Sequence, residues 1–493
     1  MIVDWSDLLF LGYFVALNST YTALMLISVI ELTRRRATRL PELEAQLLES
    51  SSTPPVTILV PAFDEERSIR GSVQSFLQLE YPALTVVVVN DGSADNTLGV
   101  LGDRFDLVRT DLVFQRLLET RPIRGVYRSK RDPRLWVVDK ENGGKADALN
   151  VGINVSRTPL VCCVDADTLC EPTALLRLVE PFLCDPRGVV AASGTVRIVN
   201  GCTVRDGRVS DVGLPGSWLA RLQIVEYLRT FLYGRMAFNP LGGTLIISGA
   251  LGLFRKDALV AVGGYATDTV GEDMEVVLRL HRFAREQRPP QHLVHVPDAL
   301  CFTEVPESVA TLGRQRDRWH RGLADSLARH KDMLLNPRYG LVGLLGFPIF
   351  VAFELLGSVV ELSGYVWFAG LMWTGRLPVV PALLLLAAAV LWSVLLSLAS
   401  LLIDNWSANV MRRTGDRARL VLYALLESFG YRQLTLFFRL RGLVGFLLGA
   451  KAWGRMDRRG FDSLPLPLPV PVTLVVPVVE TPPPAACETV STK

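Results

Sequence analysis

Asp165-Ala166-Asp167 directly follows an apolar run at residues 160–164. In extended chain, residues two apart point to the same side, so both carboxylates converge where a strand would end. Hard oxygen donors suit Mg²⁺ or Mn²⁺, and such a cation would neutralise charge on the diphosphate of a nucleotide leaving group. Taken alone, the pair also reads as a solvated turn. Its interest lies in four further polar clusters in an otherwise apolar chain, because unpaired acids and bases are costly near an apolar core.

Asp91-Gly92-Ser93 is either an ordinary Asp-Gly turn or a ligand contact, with Gly92 letting the backbone approach closely and Asp91 accepting hydrogen bonds from a base or ribose. Asn142-Gly143-Gly144-Lys145 would set Lys145 near phosphate. It is no Walker loop, since Ala146 stands where Ser or Thr is required and the first glycine is missing. Gly271-Glu272-Asp273 precedes a helical pattern at 274–282, where acids also serve as simple dipole compensation. In a sugar-transfer site one carboxylate must take a proton from the attacking hydroxyl. Asp273 is the candidate base, with Glu272 supporting it. Gln315-Arg316-Asp317-Arg318-Trp319 is expected to start a polar helix. There Arg318 would hold phosphate, and Trp319 would stack on a sugar ring or anchor an interface.

The elements that must position these groups follow from periodicity. Short β-branched or apolar runs at 56–60, 85–90, 135–138 and 160–164 predict strands, with helices near 66–79 and 146–155. That alternation implies a mostly parallel α/β sheet with ligands at the strand C-terminal ends. Asp64, Asp91 and Asp165 fall at three such ends.

The 493 residues suffice for a large domain plus membrane helices. Hydrophobic residues make up 49% and mean hydropathy is +0.30. A net charge of +3, with no long basic run interleaved with aromatics, argues against a nucleic-acid partner. The seven cysteines include no CxxC pair and read as small apolar residues in a reducing compartment. The five histidines lack metal-ligand spacing.

Apolar stretches divide the chain. Residues 1–33 predict an N-terminal transmembrane helix. Its acidic entry and arginine-rich exit place the N-terminus outside and the next domain in the cytoplasm. Residues 34–53 read as a linker and 54–330 as the catalytic domain. Residues 331–461 form a C-terminal membrane region. It holds spans near 341–369 and 379–403, and a charged segment at 420–450 that is interfacial or lines a protein pore. The proline-rich 462–493 predicts a disordered tail. The expected location is the cell membrane, multi-pass.

As an ordered set, the clusters together with Val60-Pro61-Ala62-Phe63-Asp64-Glu65-Glu66 resemble the membrane-integrated glycosyltransferases of family 2, the synthases of poly-N-acetylglucosamine, hyaluronan and cellulose. The resemblance covers about residues 54–325. It implies a GT-A fold (a Rossmann-like mixed sheet) and an inverting transfer in which an acceptor hydroxyl attacks C1 and UDP leaves. It also implies nucleotide contacts from Pro61, Asp64, Glu65, Asp91, Lys145 and Asp165, and a metal at Asp165 and Asp167. Asp273 matches the family base, and Gln315, Arg318 and Trp319 match the motif that cradles diphosphate and acceptor. Two departures stand out. Asp64 replaces the family's frequent Asn, and the small-residue stretch at 248–250 before Phe254-Arg255 differs from the cellulose synthase version.

The leading expectation is a processive β-glycosyltransferase. It would use a UDP-sugar of the UDP-GlcNAc or UDP-glucose class to build an exported polysaccharide, with an export partner subunit left open. The alternatives are a transferase adding one or a few sugars to a membrane lipid, and a non-catalytic membrane scaffold. Clustered carboxylates disfavour the scaffold.

Overall fold

The computed structural model describes residues 5–38, 46–50, 52–377, 379–407, 413–450 and 460. Part of the linker, most of the basic stretch after 450 and the proline-rich tail therefore lie outside the described residues, as does Cys487.

Twelve strands are present: β1 Val56–Ala62, β2 Leu84–Asn90, β3 Leu107–Arg109, β4 Ile123–Ser129, β5 Leu135–Lys140, β6 Leu160–Cys163, β7 Thr168–Cys170, β8 Val189–Ile198, β9 Thr203–Arg205, β10 Arg208–Asp211, β11 Gly252–Arg255 and β12 His292–Thr303. Ten of them form one sheet in the order β3-β4-β5-β2-β1-β6-β11-β8-β12-β7, and β9 and β10 make a separate hairpin. At its centre β1 pairs in parallel with β2 and β6, and β2 with β5. The flanks are mostly antiparallel, with β11 against both β6 and β8, β7 against β12, and β4 against β3 and β5, while β8 and β12 pair in parallel. The sheet is therefore mixed, where alternation in the sequence had implied mostly parallel pairing. The expected strands are present. The strands with no clear sequence signal are those that close the sheet.

The longer helices are α1 Trp5–Thr38, α2 Ile69–Leu77, α3 Thr97–Phe105, α4 Lys145–Val155, α5 Ala174–Cys184, α6 Trp218–Tyr227, α7 Lys256–Ala261, α8 Glu272–Glu286, α9 Val309–Arg329, α10 Gly357–Trp373, α11 Val379–Ser407, α12 Thr414–Leu426 and α13 Tyr431–Leu447. Central strands buried on both faces need apolar side chains in both directions. β1 supplies Ile58 and Val60 to one core and Leu59 to the other. α4 covers the second face through Leu149, Val151 and Ile153.

α1 and α11 are each long and apolar enough to cross a membrane. Residues 342–355 and α10 would make a third span, bent by 45° at their junction. The charges that set 420–450 apart have partners. Arg432 pairs with Glu361 at 2.7 Å and Arg229 with Glu427 at 2.7 Å. Arg441 on α13 reaches Asp317 on α9 at 3.0 Å, so α13 lies along the helix that bears the Gln-x-x-Arg-Trp cluster. At the other end of the chain, Arg35 on α1 ties to Glu180 at 3.2 Å and Asp298 at 3.0 Å in the sheet domain.

Candidate active site

Asp165 lies two residues beyond β6, and Lys145 opens α4. Lys145 Nζ is 2.5 Å from Asp165 Oδ1 and 3.6 Å from Glu272 Oε1. One ammonium thus joins three clusters that are far apart in sequence. Asp165 and Glu272 hold the Lys145 pKa above its ordinary value, against the opposing effect of burial. The floor of this contact is Gly249. A Cβ there would sit 2.5 Å from Lys145 Nζ and 3.2 Å from Asp165 Oδ1, so a larger residue would displace the ammonium from this contact.

Glu272 and Asp273 form the first turn of α8. Glu272 is buried, and its pKa is pushed up to about 7. Burial is the largest cause; Lys145 opposes it, and Asp273 adds to it. Asp273 is half-buried, and its Oδ1 accepts from the Met274 amide at 2.9 Å.

The Gln-x-x-Arg-Trp cluster occupies the middle of α9. The sequence had suggested that it starts the helix. The true N-cap is Ser308, whose hydroxyl accepts from Thr311 N at 3.2 Å, seven residues before Gln315. Gln315 is buried and Trp319 is 39% exposed, leaving indole available to a ligand. Arg316, which the sequence reading assigned no role, pins that indole. Its guanidinium lies 4.3 Å from the Trp319 ring and 2.7 Å from Glu226. The Tyr431 hydroxyl on α13 donates to the same Glu226 carboxylate at 2.5 Å. α9 meets α8 at Gly322 and Gly271, where a Cβ on Gly271 would come within 2.7 Å of Gly322 Cα. The field of Arg318 reaches Glu272.

The other residues expected to meet the nucleotide lie on β1 and in the turns that follow β1 and β2. Asp91 is 2% exposed; it pairs with buried Lys140 and accepts from the Gly143 and Gly144 amides at 3.0 and 2.7 Å. Lys140 also pairs with Asp147 at 2.7 Å. Asp91 therefore shapes the loop that delivers Lys145. Gly92 has φ +68°, and the Asn142 amide lies 2.8 Å from where a Cβ would be, so both backbone and space favour glycine. Asp64, at φ +54°, accepts from Ala94 N at 2.8 Å. Glu65 is buried and accepts from Ser68 at 2.5 Å. Pro61 lies within β1 opposite Val89. Lys140 and Asp147 went unread in the sequence, since a lysine at a strand end normally signals solvent. Among the described residues no group of three or more His, Cys, Asp or Glu gathers as a metal site. Asp165 is partly exposed and Asp167 is buried.

A mixed α/β sheet with acids at its strand ends, joined by a lysine and flanked by membrane-length helices, has the GT-A architecture of a membrane glycosyltransferase. Residues 54–322 match the family described as glycosyltransferase like family 2, and the chain belongs to that family. It is 30% identical over 275 residues to a poly-beta-1,6-N-acetyl-D-glucosamine synthase of Staphylococcus epidermidis, a match covering 56% of each chain. It is 28% identical over 307 residues to the synthase of the same name from Staphylococcus aureus, covering 62% of each. The chain thus spans little more than half the length of these curated relatives. Among solved structures, a mannosyltransferase from Pyrobaculum calidifontis in complex with GDP-Man and Mn²⁺ overlays with a TM-score of 0.47 at 20% identity, covering 89% of this chain and 99% of that one. Glucosyl-3-phosphoglycerate synthase from Mycobacterium tuberculosis overlays at 0.36 and 16% identity, covering 59% and 85%.

Proposed function

We propose that the chain is an inverting, processive β-glycosyltransferase that uses a UDP-sugar, UDP-N-acetylglucosamine before UDP-glucose, to extend a polysaccharide at the membrane. The observation that carries the reading is the junction of Lys145, Asp165 and Glu272-Asp273, with the Trp319 helix packed against it. The names of the relatives support N-acetylglucosamine as the sugar.

In this reading Asp273 takes the proton of the acceptor hydroxyl as that oxygen attacks C1 of the donor sugar. The bond from C1 to the phosphate oxygen breaks, and UDP leaves from the opposite face. Lys145 and Arg318 meet the charge that develops on the diphosphate. Asp165 and Asp167 fit a divalent cation as a partial donor set, because Mg²⁺ commonly takes one or two carboxylates and completes its shell with substrate phosphates and water. When bound, Mg²⁺ or Mn²⁺ would neutralise diphosphate charge there. Asp91, Lys140 and Asp147 hold the loop, and Asp64 and Glu65 brace the turn after β1, on the nucleotide side. Trp319 offers a ring face to the acceptor. The arginines of α1 on the sheet-domain side suit a cytoplasmic catalytic domain in a multi-pass cell-membrane protein.

The test is to purify the chain in detergent, screen UDP-sugars for UDP release, and size the product. Long polymer made from UDP-N-acetylglucosamine is expected. A product confined to a short, organic-extractable glycolipid would replace this reading with single-sugar transfer to a lipid.

A further inference from the structure

Four arginines are more than nine-tenths buried among the described residues: Arg197, Arg235, Arg316 and Arg321. Burying a charge is costly unless it is paired. Three of the four obey that rule, since Arg197 pairs with Asp404, Arg316 with Glu226 and Arg321 with Asp317. Arg235 does not. Its Nη1 is shut away from water and has no hydrogen-bond partner among the described residues. Its guanidinium stacks on the Phe231 ring, 4.2 Å from the centroid.

Ring contacts link Arg235 to Trp319. After α6 the backbone widens into a π-helix at Leu228–Tyr233 and then makes the single turn Gly234–Met236. Such insertions concentrate at functional sites. Phe231 stacks 4.8 Å from Tyr227, and Tyr227 lies 6.4 Å from Trp319, so a row of rings runs from Trp319 to Arg235. Burial lowers the Arg235 pKa to about 10, and Asp273 is the charge that opposes this most. The Asp273 carboxylate thus lies within electrostatic reach of the guanidinium. The diphosphate already has Lys145 and Arg318, whereas Arg235 lies with the ring row and against α1.

We propose that Arg235 is an acceptor-binding residue whose Nη1 donates to an oxygen of the sugar that presents its hydroxyl to Asp273. The inference rests on the reading of Asp273 as base. A buried donor that no protein group satisfies makes binding selective, because a ligand that brings an oxygen to it removes the penalty.

The experiment uses full-length Arg235→Met and Arg235→Lys in detergent, with UDP-N-acetylglucosamine as donor and β-linked N-acetylglucosamine oligomers as added acceptor. For Arg235→Met the acceptor KM should rise about 10- to 100-fold, the loss expected of a hydrogen bond to a charged group. UDP affinity should stay within about twofold. Melting temperature should hold or rise, because an apolar side chain of similar length removes an uncompensated buried charge. Arg235→Lys should recover part of the acceptor affinity. An unchanged acceptor KM with a lowered melting temperature would make Arg235 structural and overturn the proposal. An equal loss of UDP affinity would assign it to the donor and overturn it too. Asp273→Asn separates the underlying reading: if that variant keeps full transfer, the base assignment falls, while the acceptor KM of Arg235→Met still reports on Arg235.

Discussion

Gly271 and Gly322 pack backbone to backbone, each leaving no space for a Cβ on the other: a Cβ on Gly271 would lie 2.7 Å from Gly322 Cα, and one on Gly322 would lie 2.8 Å from Gly271 Cα. One residue precedes the Glu272-Asp273 turn and the other lies three beyond Trp319. The contact therefore sets the distance between the proposed base and the proposed acceptor platform. Glycine inside a helix ordinarily costs about 1 kcal/mol relative to alanine, so Gly322 within α9 needs such a reason. Ser326 adds a hydrogen bond to the Gly271 carbonyl at 3.4 Å.

Gly322→Ala should therefore lower turnover about 100-fold while leaving UDP affinity nearly intact, since displacement of about 1 Å in a reacting group has that effect on rate. Overpacking should also cost about 1–3 kcal/mol of stability, against the gain alanine gives in an exposed helix. Steady-state UDP release and thermal unfolding on the same preparation check both. A variant that is more stable and fully active would show that the two backbones are free to separate.

Removing the metal should abolish turnover, and Asp165→Ala or Asp167→Ala should do the same even at high metal concentration, because the diphosphate loses its counter-charge. Asp165→Ala has a second effect: it strips Lys145 of its 2.5 Å partner and leaves the ammonium to Glu272. UDP binding measured by calorimetry, with and without Mn²⁺, distinguishes the two. Wild type should lose affinity in chelator, and the alanine variants should show no metal response. Equal metal dependence in wild type and variants would remove Asp165 and Asp167 from the cation site.

The pH dependence follows from Glu272, whose pKa burial raises from 4.5 to about 7. The folded protein keeps that proton where the unfolded chain has released it. Its contribution to stability is thus complete below about pH 4.5 and is lost as pH rises through about 7. In the metal-free protein, wild type should lose melting temperature relative to Glu272→Gln between pH 5 and pH 8 (about the span of that titration). A difference that stays flat with pH would mean that Lys145 keeps Glu272 ionised throughout.

Much of this was legible in sequence because the signal is local. Apolar runs ending in Asp64, Asp91 and Asp165 marked three strand ends, and the order of the clusters fixed the family. What was hidden depends on distant pairing. β8 and β12 lie side by side across about a hundred residues, and the small side chains of β8 give no strong strand pattern. The interior role of Asp91 was hidden for the same reason, since its partner Lys140 comes from a different strand and looks solvent-facing in a linear reading. Arg316 was passed over between Gln315 and Arg318 because its carboxylate comes from α6, some ninety residues earlier.

That pairing gives the last prediction. Trp319 keeps its ring in place through Arg316, and Arg316 depends on Glu226, which Tyr431 also engages. Trp319→Ala should reduce chain elongation more than hydrolysis of UDP-sugar, because the donor site stays intact while the acceptor loses its platform. Glu226→Gln should reproduce that split in weaker form. A cation-π contact is worth about 1–2 kcal/mol when partly desolvated, so loosening Arg316 should shorten product about tenfold at most. Tyr431→Phe removes one hydrogen bond to Glu226 and should have the smallest effect of the three. Product length by gel filtration, alongside UDP release without acceptor, gives the ordering. If all three variants lose hydrolysis and elongation in equal measure, α13 and Glu226 serve the stability of α9 and have no bearing on how the acceptor is held.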